Sequence, residues 1–229
     1  MMADTIILAG GKGTRLQSVV RDVPKPMAPV AGRPFLFHVL DRLAACAPPR
    51  VVLSVGYKAD TIVTAVGESY GAIPVVYAVE SEPLGTGGAI CLAAESAKTE
   101  TVLVLNGDTF AEIDLPAFLE AHREAGRPLS LALATVEDTA RYGNVALRNG
   151  RIVAFGEKGR SGPGLINAGV YAIERSFLDE YRRAGAFSFE IDILMAHLDE
   201  IRPLGVPFAG LFIDIGVPED YARAQELFR

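Results

Sequence analysis

Leu8-Ala9-Gly10-Gly11-Lys12-Gly13-Thr14-Arg15-Leu16 directly follows a short apolar run, Thr5-Ile6-Ile7-Leu8. The run reads as a buried first strand. A glycine-rich turn at the carboxyl end of a first strand is where open α/β sheets hold phosphates. Glycines let the backbone curl and aim several N–H groups at one anion. Lys12 and Arg15 add positive charge. The loop is therefore a candidate for the triphosphate of a nucleotide, although a plain tight turn would use the same glycines. Two familiar glycine loops are excluded. A Walker loop needs Ser or Thr after Gly-Lys, and Gly13 follows Lys12. A dinucleotide fingerprint needs a third glycine where Leu16 stands.

The rest of the chain alternates strands and helices. Phe35 to Ala45 carries Phe35, Leu36, Val39, Leu40 and Leu43 at helical spacing, and Pro34 suits the first turn. Strands are expected at Arg50–Val55, Val75–Val79, Thr101–Leu105 and Leu129–Thr135. Helices are expected at Ala59–Val66, from about Ala89 to Ala97, and from an Asp114 cap to about Ala125. Alternation of this kind implies parallel pairing with right-handed crossovers. Beyond residue 135 the pattern changes. Asn149-Gly150 between two apolar runs is a strong hairpin signal. The glycine inside Leu165–Tyr171 marks a bulge or a close backbone approach. Ser188 opens a helix ending near His197.

The 229 residues suffice for one large domain or a closely joined pair. The net charge of −6 without a long basic run argues against nucleic acid and anionic membrane as partners. No apolar run approaches spanning length, and no basic segment precedes the first apolar run. Cys46 and Cys91 form no C-x-x-C pair, which fits reduced thiols in a cytoplasmic protein. The three histidines have no ligand spacing, so a zinc site is not expected.

Several other stretches carry chemistry. Pro24-Lys25-Pro26 holds its lysine on a stiff, extended, non-helical loop near the glycine turn. Glu80 to Ala89 is a second glycine-rich loop feeding a helix. Gly85 and Gly87 would let a flat base approach, and Glu80 or Glu82 could accept from its N–H groups. Asn106-Gly107-Asp108 ends an apolar strand at the same edge, where a carboxylate suits Mg²⁺, though an aspartate is common in such turns. Asp214 interrupts another apolar strand. It needs a metal, a partner arginine or backbone donors.

These residues carry a family likeness. Leu8 to Leu16, Pro24-Lys25-Pro26-Met27, Leu84 to Ala89, Asn106-Gly107-Asp108, Tyr142-Gly143, Glu157-Lys158, Asn167-Ala168-Gly169 and Asp214-Ile215-Gly216 stand in one order. Together they make the chain resemble the sugar-1-phosphate nucleotidylyltransferases from end to end. Asp-Val-Pro-Lys-Pro-Met-Ala-Pro, Asn-Gly-Asp-Thr-Phe and Tyr-Gly-Asn-Val look most like the D-glycero-D-manno-heptose 1-phosphate guanylyltransferases. Mannose-1-phosphate guanylyltransferases and N-acetylmuramate-1-phosphate uridylyltransferases are close relatives of these.

The resemblance implies an α/β, Rossmann-like three-layer sandwich. It would have a mixed, mostly parallel central sheet and a small antiparallel sugar-binding subregion. One domain, 1–229, would divide into a nucleotide-binding half (about 1–135) and a sugar-phosphate-binding half (about 136–229). The substrates would be a nucleoside triphosphate, GTP above all, and a sugar 1-phosphate, with a homodimer left open. Asp108 and Asp214 would hold Mg²⁺ on the α-phosphate. Arg15 would steady the departing pyrophosphate with Gly11, Lys12, Gly13 and Thr14, and Lys25 would contact the phosphate of the reacting pair. Leu8, Ala9, Gly10, Glu80 and Gly85 would surround the base. Lys158 would grip the sugar phosphate, and Gly143, Glu157 and Asn167 would meet sugar hydroxyls, with Glu190 and Asp192 on the same side. The resemblance also admits a non-catalytic nucleotide-sugar sensor, or a cytidylyltransferase acting on an alcohol phosphate. The retained Arg15, Lys25, Asp108, Lys158 and Asp214 argue for catalysis.

Overall fold

The computed structural model describes residues 2–11, 13–16 and 19–229. Strand β1 (Asp4–Leu8) runs into the glycine turn and a one-turn helix at Thr14–Leu16. Pro24 is extended, as its ring dictates, but Lys25–Met27 closes a 3₁₀ turn, Met27 N–H donating to Pro24 at 2.8 Å. The expected wholly extended segment is thus corrected. Pro26 lacks an N–H but its fixed φ is compatible with a tight turn, and burying Pro26 and Met27 favours it. The short ladder β2 (Pro29–Val30) and β3 (Arg33–Pro34) follows, and Pro34 caps α1 (Phe35–Cys46) rather than entering it.

Then come β4 (Val51–Val55), α2 (Ala59–Val66), β5 (Ser69–Tyr70), β6 (Ile73–Val79) and α3 (Gly85–Ala94). Helix α3 starts four residues before the expected Ala89. Its glycines let it lie on Phe187, whose ring a side chain at Gly87 would strike. Packing thus outweighs their poor helix propensity. Next are β7 (Thr101–Asn106), β8 (Thr109–Ala111), α4 (Leu115–Ala125) and β9 (Leu129–Val136). Asp114 caps α4 by accepting from Ala117 N–H at 2.9 Å.

The hairpin β10 (Val145–Arg148) and β11 (Arg151–Phe155) turns on Asn149 (φ 51°) and Gly150 (φ 73°), the geometry favoured by Asn-Gly. After it come β12 (Gly164–Glu174), α5 (Arg175–Tyr181), a wide π-type helix at Phe189–Met195, α6 (Leu198–Ile201), β13 (Leu204–Phe208), β14 (Phe212–Asp214) and α7 (Pro218–Leu227).

Among the described residues, ten strands form one mixed sheet in the order β10-β11-β13-β9-β12-β7-β1-β4-β6-β5. Its centre, β7-β1-β4-β6, is parallel. Consecutive side chains on these strands face opposite layers, as the pleat requires. Ile7, Leu53 and Leu103 pack with α1, α2, α4 and α7, while Ile6, Val52 and Val102 pack with α3, α5 and the π-type turn. The result is a helix–sheet–helix sandwich. The chain steps from β1 to β4 and β6 on one side, then crosses to β7 on the other. The carboxyl ends of β1 and β7 therefore frame a switch-point crevice. Among the described residues, no helix is long and apolar enough to cross a membrane.

Candidate active site

Two cavities open at this sheet edge. The first, about 720 Å³, has Leu8, Gly10 and Gly11 on one side, Glu80 and Gly85 on another, and Asp108 in its lining. Glu80 accepts from Ser54 Oγ at 3.3 Å and from Leu84 N–H at 3.1 Å, so its carboxylate also organises the second glycine loop. A Cβ at Gly10 would lie 2.5 Å from Glu80 Oε1, so a side chain there would push the Glu80 carboxylate from its place. Glu82 lines the same cavity. So do Ser54 and Tyr57, which carried no signal in the sequence, and Thr86 of the second glycine-rich loop.

The expected loop residues divide. Ala9 is fully buried and donates its N–H to the Ser54 carbonyl at 2.8 Å, so it braces the loop from behind instead of lining the cavity. Gly13 takes φ 59° and packs on the stem of Lys25, where a Cβ would come within 2.7 Å. Thr14 and Arg15 are exposed on the short helical turn that follows, outside the lining of that cavity. Lys12 lies outside the described residues.

The second cavity, about 550 Å³, is lined by all four expected sugar-side residues, Gly143, Glu157, Lys158 and Asn167, and by Asp214 and Glu190. Asn167 sits at a register shift in β12 and donates to Glu190 Oε1 and to the Tyr171 hydroxyl, both at 2.9 Å. The Tyr171 hydroxyl donates to the same Glu190 oxygen at 2.9 Å. Burial, with Glu190 beside it, holds the Tyr171 pKa well above its ordinary value, so the donor proton stays on. Asp192 instead accepts from Ser188 N–H at 2.7 Å at the start of the π-type turn and does not line the cavity.

Lys158 is displayed on a loop tied to the Asp138–Ala140 turn. Asp138 Oδ1 accepts from Ala140 N–H and Ser161 Oγ, each at 3.0 Å, and from Gly162 N–H at 3.3 Å. These donors hold the exposed Asp138 carboxyl below its ordinary pKa. Nothing in the composition of that turn flagged Asp138.

Asn106 lines both cavities, and the two meet at a charged cluster. Strands β8 and β14 pair antiparallel, with Asp214 opposite Thr109, which carries Asp214 to Asp108. Lys25 Nζ lies 2.6 Å from Asp108 Oδ2 and 3.2 Å from Asp214 Oδ1, with only 13% of its side chain exposed. Asp214 Oδ1 also accepts from Gly216 N–H at 2.8 Å, and Oδ2 pairs with Arg141 at 3.1 Å. Of the alternatives for Asp214, both the partner arginine and the backbone donor are present, and a lysine joins them. No motif in the sequence marks Arg141 as a partner of this cluster. Two carboxylates converging on one cation also form a donor set that Mg²⁺ accepts when phosphate oxygens complete it. Among the described residues no group of three His, Cys, Asp or Glu could hold a metal alone.

Gly169 supports this junction with φ 67° and no room for a side chain, which would collide with the Asn106 amide. Gly169→Ala should cost about 1–3 kcal/mol from the strained backbone and the clash, read as a lower denaturant midpoint. It should also lower activity by moving Asn106.

The two thiols are poor nucleophiles, since burial pushes the pKa of both Cys46 and Cys91 up. His122, 1% exposed between Ser130 and Glu174, is far from solvent and belongs to neither cavity. The junction offers opposed charges and two adjoining cavities, which suits joining two anions.

The family model described as nucleotidyl transferase matches residues 4–229. The chain is 41% identical over 223 residues to the D-glycero-alpha-D-manno-heptose 1-phosphate guanylyltransferase of Aneurinibacillus thermoaerophilus, covering 97% of each. It is 39% identical to the enzyme of the same name from Campylobacter jejuni, covering 94% of this chain and 96% of that one. HddC of Yersinia pseudotuberculosis, crystallised in complex with GMP-PN, superposes with a TM-score of 0.88 at 38% identity over the full length of both chains. The chain belongs to the nucleotidyl transferase family.

Proposed function

We propose that this protein transfers a guanylyl group from GTP to D-glycero-α-D-manno-heptose 1-phosphate, giving a GDP-heptose and pyrophosphate. The observation that carries this reading is the Lys25–Asp108–Asp214 cluster where the two cavities meet. The names of the two relatives and the GMP-PN complex of HddC favour guanine and the heptose.

In this reading residues 1–135 supply the nucleotide side and 136–229 the sugar side, with Asp214 returning to complete the centre. A phosphate oxygen of the sugar attacks the α-phosphorus of GTP; the new P–O bond forms as the bond to pyrophosphate breaks. The attacking oxygen is already anionic, so no side chain has to remove a proton. The barrier lies in bringing two anions together, and positioning with charge neutralisation lowers it.

Lys158 holds the sugar phosphate, and Gly143, Glu157, Asn167 and Glu190 meet its hydroxyls. Leu8, Gly10, Glu80 and Gly85 face the base. Gly11, Gly13, Thr14 and Arg15 steady the leaving pyrophosphate. Asp108 and Asp214 would hold Mg²⁺, which when bound there offsets charge on the α-phosphate. Lys25, already between these carboxylates, has an ammonium available to the reacting phosphates. The setting is the cytoplasm, where free thiols such as Cys46 and Cys91 persist.

The test is a grid of four nucleoside triphosphates against several sugar 1-phosphates, scored by pyrophosphate. GTP with the heptose 1-phosphate should give the highest rate. A preference for mannose 1-phosphate, the substrate named for a Mycobacterium tuberculosis relative at 36% identity, would replace the sugar assignment. Lys158→Ala should raise KM for the sugar phosphate at least tenfold, about 1.4 kcal/mol, with KM for GTP little changed. Lost GTP binding with intact sugar-phosphate binding would reverse the roles of the two cavities.

A further inference from the structure

Arg141 ties the wall of the sugar cavity to the carboxylate cluster from outside that cavity. Its backbone is fixed by a turn in which Tyr142 and Gly143 N–H groups both donate to the Thr139 carbonyl, at 3.0 and 2.9 Å. From there its guanidinium reaches across to the end of β14 and the first turn of α7. Nη2 pairs with Asp214 Oδ2 at 3.1 Å, and Nη1 pairs with Asp220. The guanidinium also stacks on the Tyr142 ring, 4.7 Å from its centroid. The Tyr142 hydroxyl stands 3.5 Å from Asp220, and its ring meets Phe212 edge-on at 5.6 Å. Tyr142, Gly143, Phe212 and Asp214 all line the sugar cavity; Arg141 and Asp220 do not.

The consequence for Asp214 is specific. Its two oxygens are held by three donors: Lys25 and Gly216 N–H on Oδ1, and Arg141 on Oδ2. Lys25 and Gly216 hold one oxygen from the nucleotide side of the cluster and from the backbone. Arg141 holds the other oxygen, so the carboxylate is gripped on both sides of its Cβ–Cγ bond and resists turning about it. Asp220 in turn occupies the second arm of the guanidinium fork, which an arginine presents rigidly and a lysine cannot.

We propose that Arg141 is a positioning residue for the transfer reaction. It sets the plane of the Asp214 carboxylate, and through its stack on Tyr142 it makes that plane depend on the wall of the sugar cavity. It touches neither substrate. The proposal rests on the reading that Asp214 serves a divalent cation, and the experiment separates the two.

Arg141→Met and Arg141→Lys are prepared beside the wild type. Mn²⁺ binding in the presence of GTP is followed by electron paramagnetic resonance, and kcat and KM by pyrophosphate release. Removing a group that orients a metal ligand costs about 10–100-fold in affinity or activity. Arg141→Met should weaken Mn²⁺ binding and lower kcat within that range, while KM for GTP changes less than threefold. Arg141→Lys should recover part of the Mn²⁺ affinity by restoring the charge without the fork. A merely structural role would lower the melting temperature and leave the Mn²⁺ affinity of the folded fraction intact. That result, or Mn²⁺ affinity and kcat within twofold of wild type in both variants, overturns the proposal. Absence of Mn²⁺ binding in the wild type with GTP present overturns the metal reading, and the role of Arg141 with it. If Arg141→Met does not fold, Arg141→Lys decides: wild-type Mn²⁺ affinity and kcat refute the need for the fork.

Discussion

Asp108→Asn should cut turnover by about 10³-fold or more, roughly 4 kcal/mol of transition-state stabilisation, while the protein stays folded. The amide keeps the shape of the carboxylate but removes its charge. Asp108 Oδ2 is the oxygen nearest Lys25, at 2.6 Å, and Oδ1 accepts from Thr109 Oγ1 at 3.2 Å. Neither contact holds the core together. The backbone of Asp108 is kept in place independently, by the Ile215 N–H donating to its carbonyl at 3.0 Å. Gly107 beside it donates to the Leu8 carbonyl at 2.9 Å. The melting temperature should therefore remain near that of the wild type, or rise slightly as like charges thin out around Asp214. Near-wild-type turnover at saturating Mg²⁺ would remove Asp108 from the chemistry. Thermal melting of the same sample separates lost function from lost fold.

Lys25→Met should lower kcat by about 10²–10³-fold, the scale on which a preorganised charge stabiliser acts. Methionine keeps most of the stem that packs under Gly13 and deletes only the ammonium. Two carboxylates then face each other and the incoming phosphates with Arg141 alone to offset them. The loss should appear in kcat more than in KM for GTP, because the deleted charge acts where the two anions meet. An effect confined to KM would make Lys25 a nucleotide anchor and nothing more.

Much of this site was legible in the sequence because its parts are local. The glycine loop, the Pro24-Lys25-Pro26 turn and the Asn106-Gly107-Asp108 corner each announce themselves within a few residues of a strand end. The parallel centre of the sheet follows from the alternation of apolar strands with helices. The Asn149-Gly150 hairpin follows from the one turn its residues favour.

What stayed hidden depends on contacts far apart in the chain. Arg141 has no motif of its own; only the pairing of β8 with β14 and the placement of α7 bring it two aspartates. Strand β13 has no clear signature in the sequence, where Gly205 and Pro207 argue against a strand. In the fold Gly205 lies under Leu147, with no room for a side chain, and β13 pairs chiefly with β9. The early start of α3 hides behind glycines that Phe187 requires. The family resemblance implies Ala9 at the base, but the pairing of β1 with β4 runs on through the Ala9 N–H and leaves the residue in the core.

The most direct measurement is pyrophosphate release from GTP and D-glycero-α-D-manno-heptose 1-phosphate with Mg²⁺, read together with the mass of the nucleotide product. One pyrophosphate per GDP-heptose formed, dependent on both substrates, is the expected result. Release of pyrophosphate with GMP as the product, or no release from any nucleoside triphosphate and sugar 1-phosphate together, would contradict the meeting of two substrates at Lys25, Asp108 and Asp214.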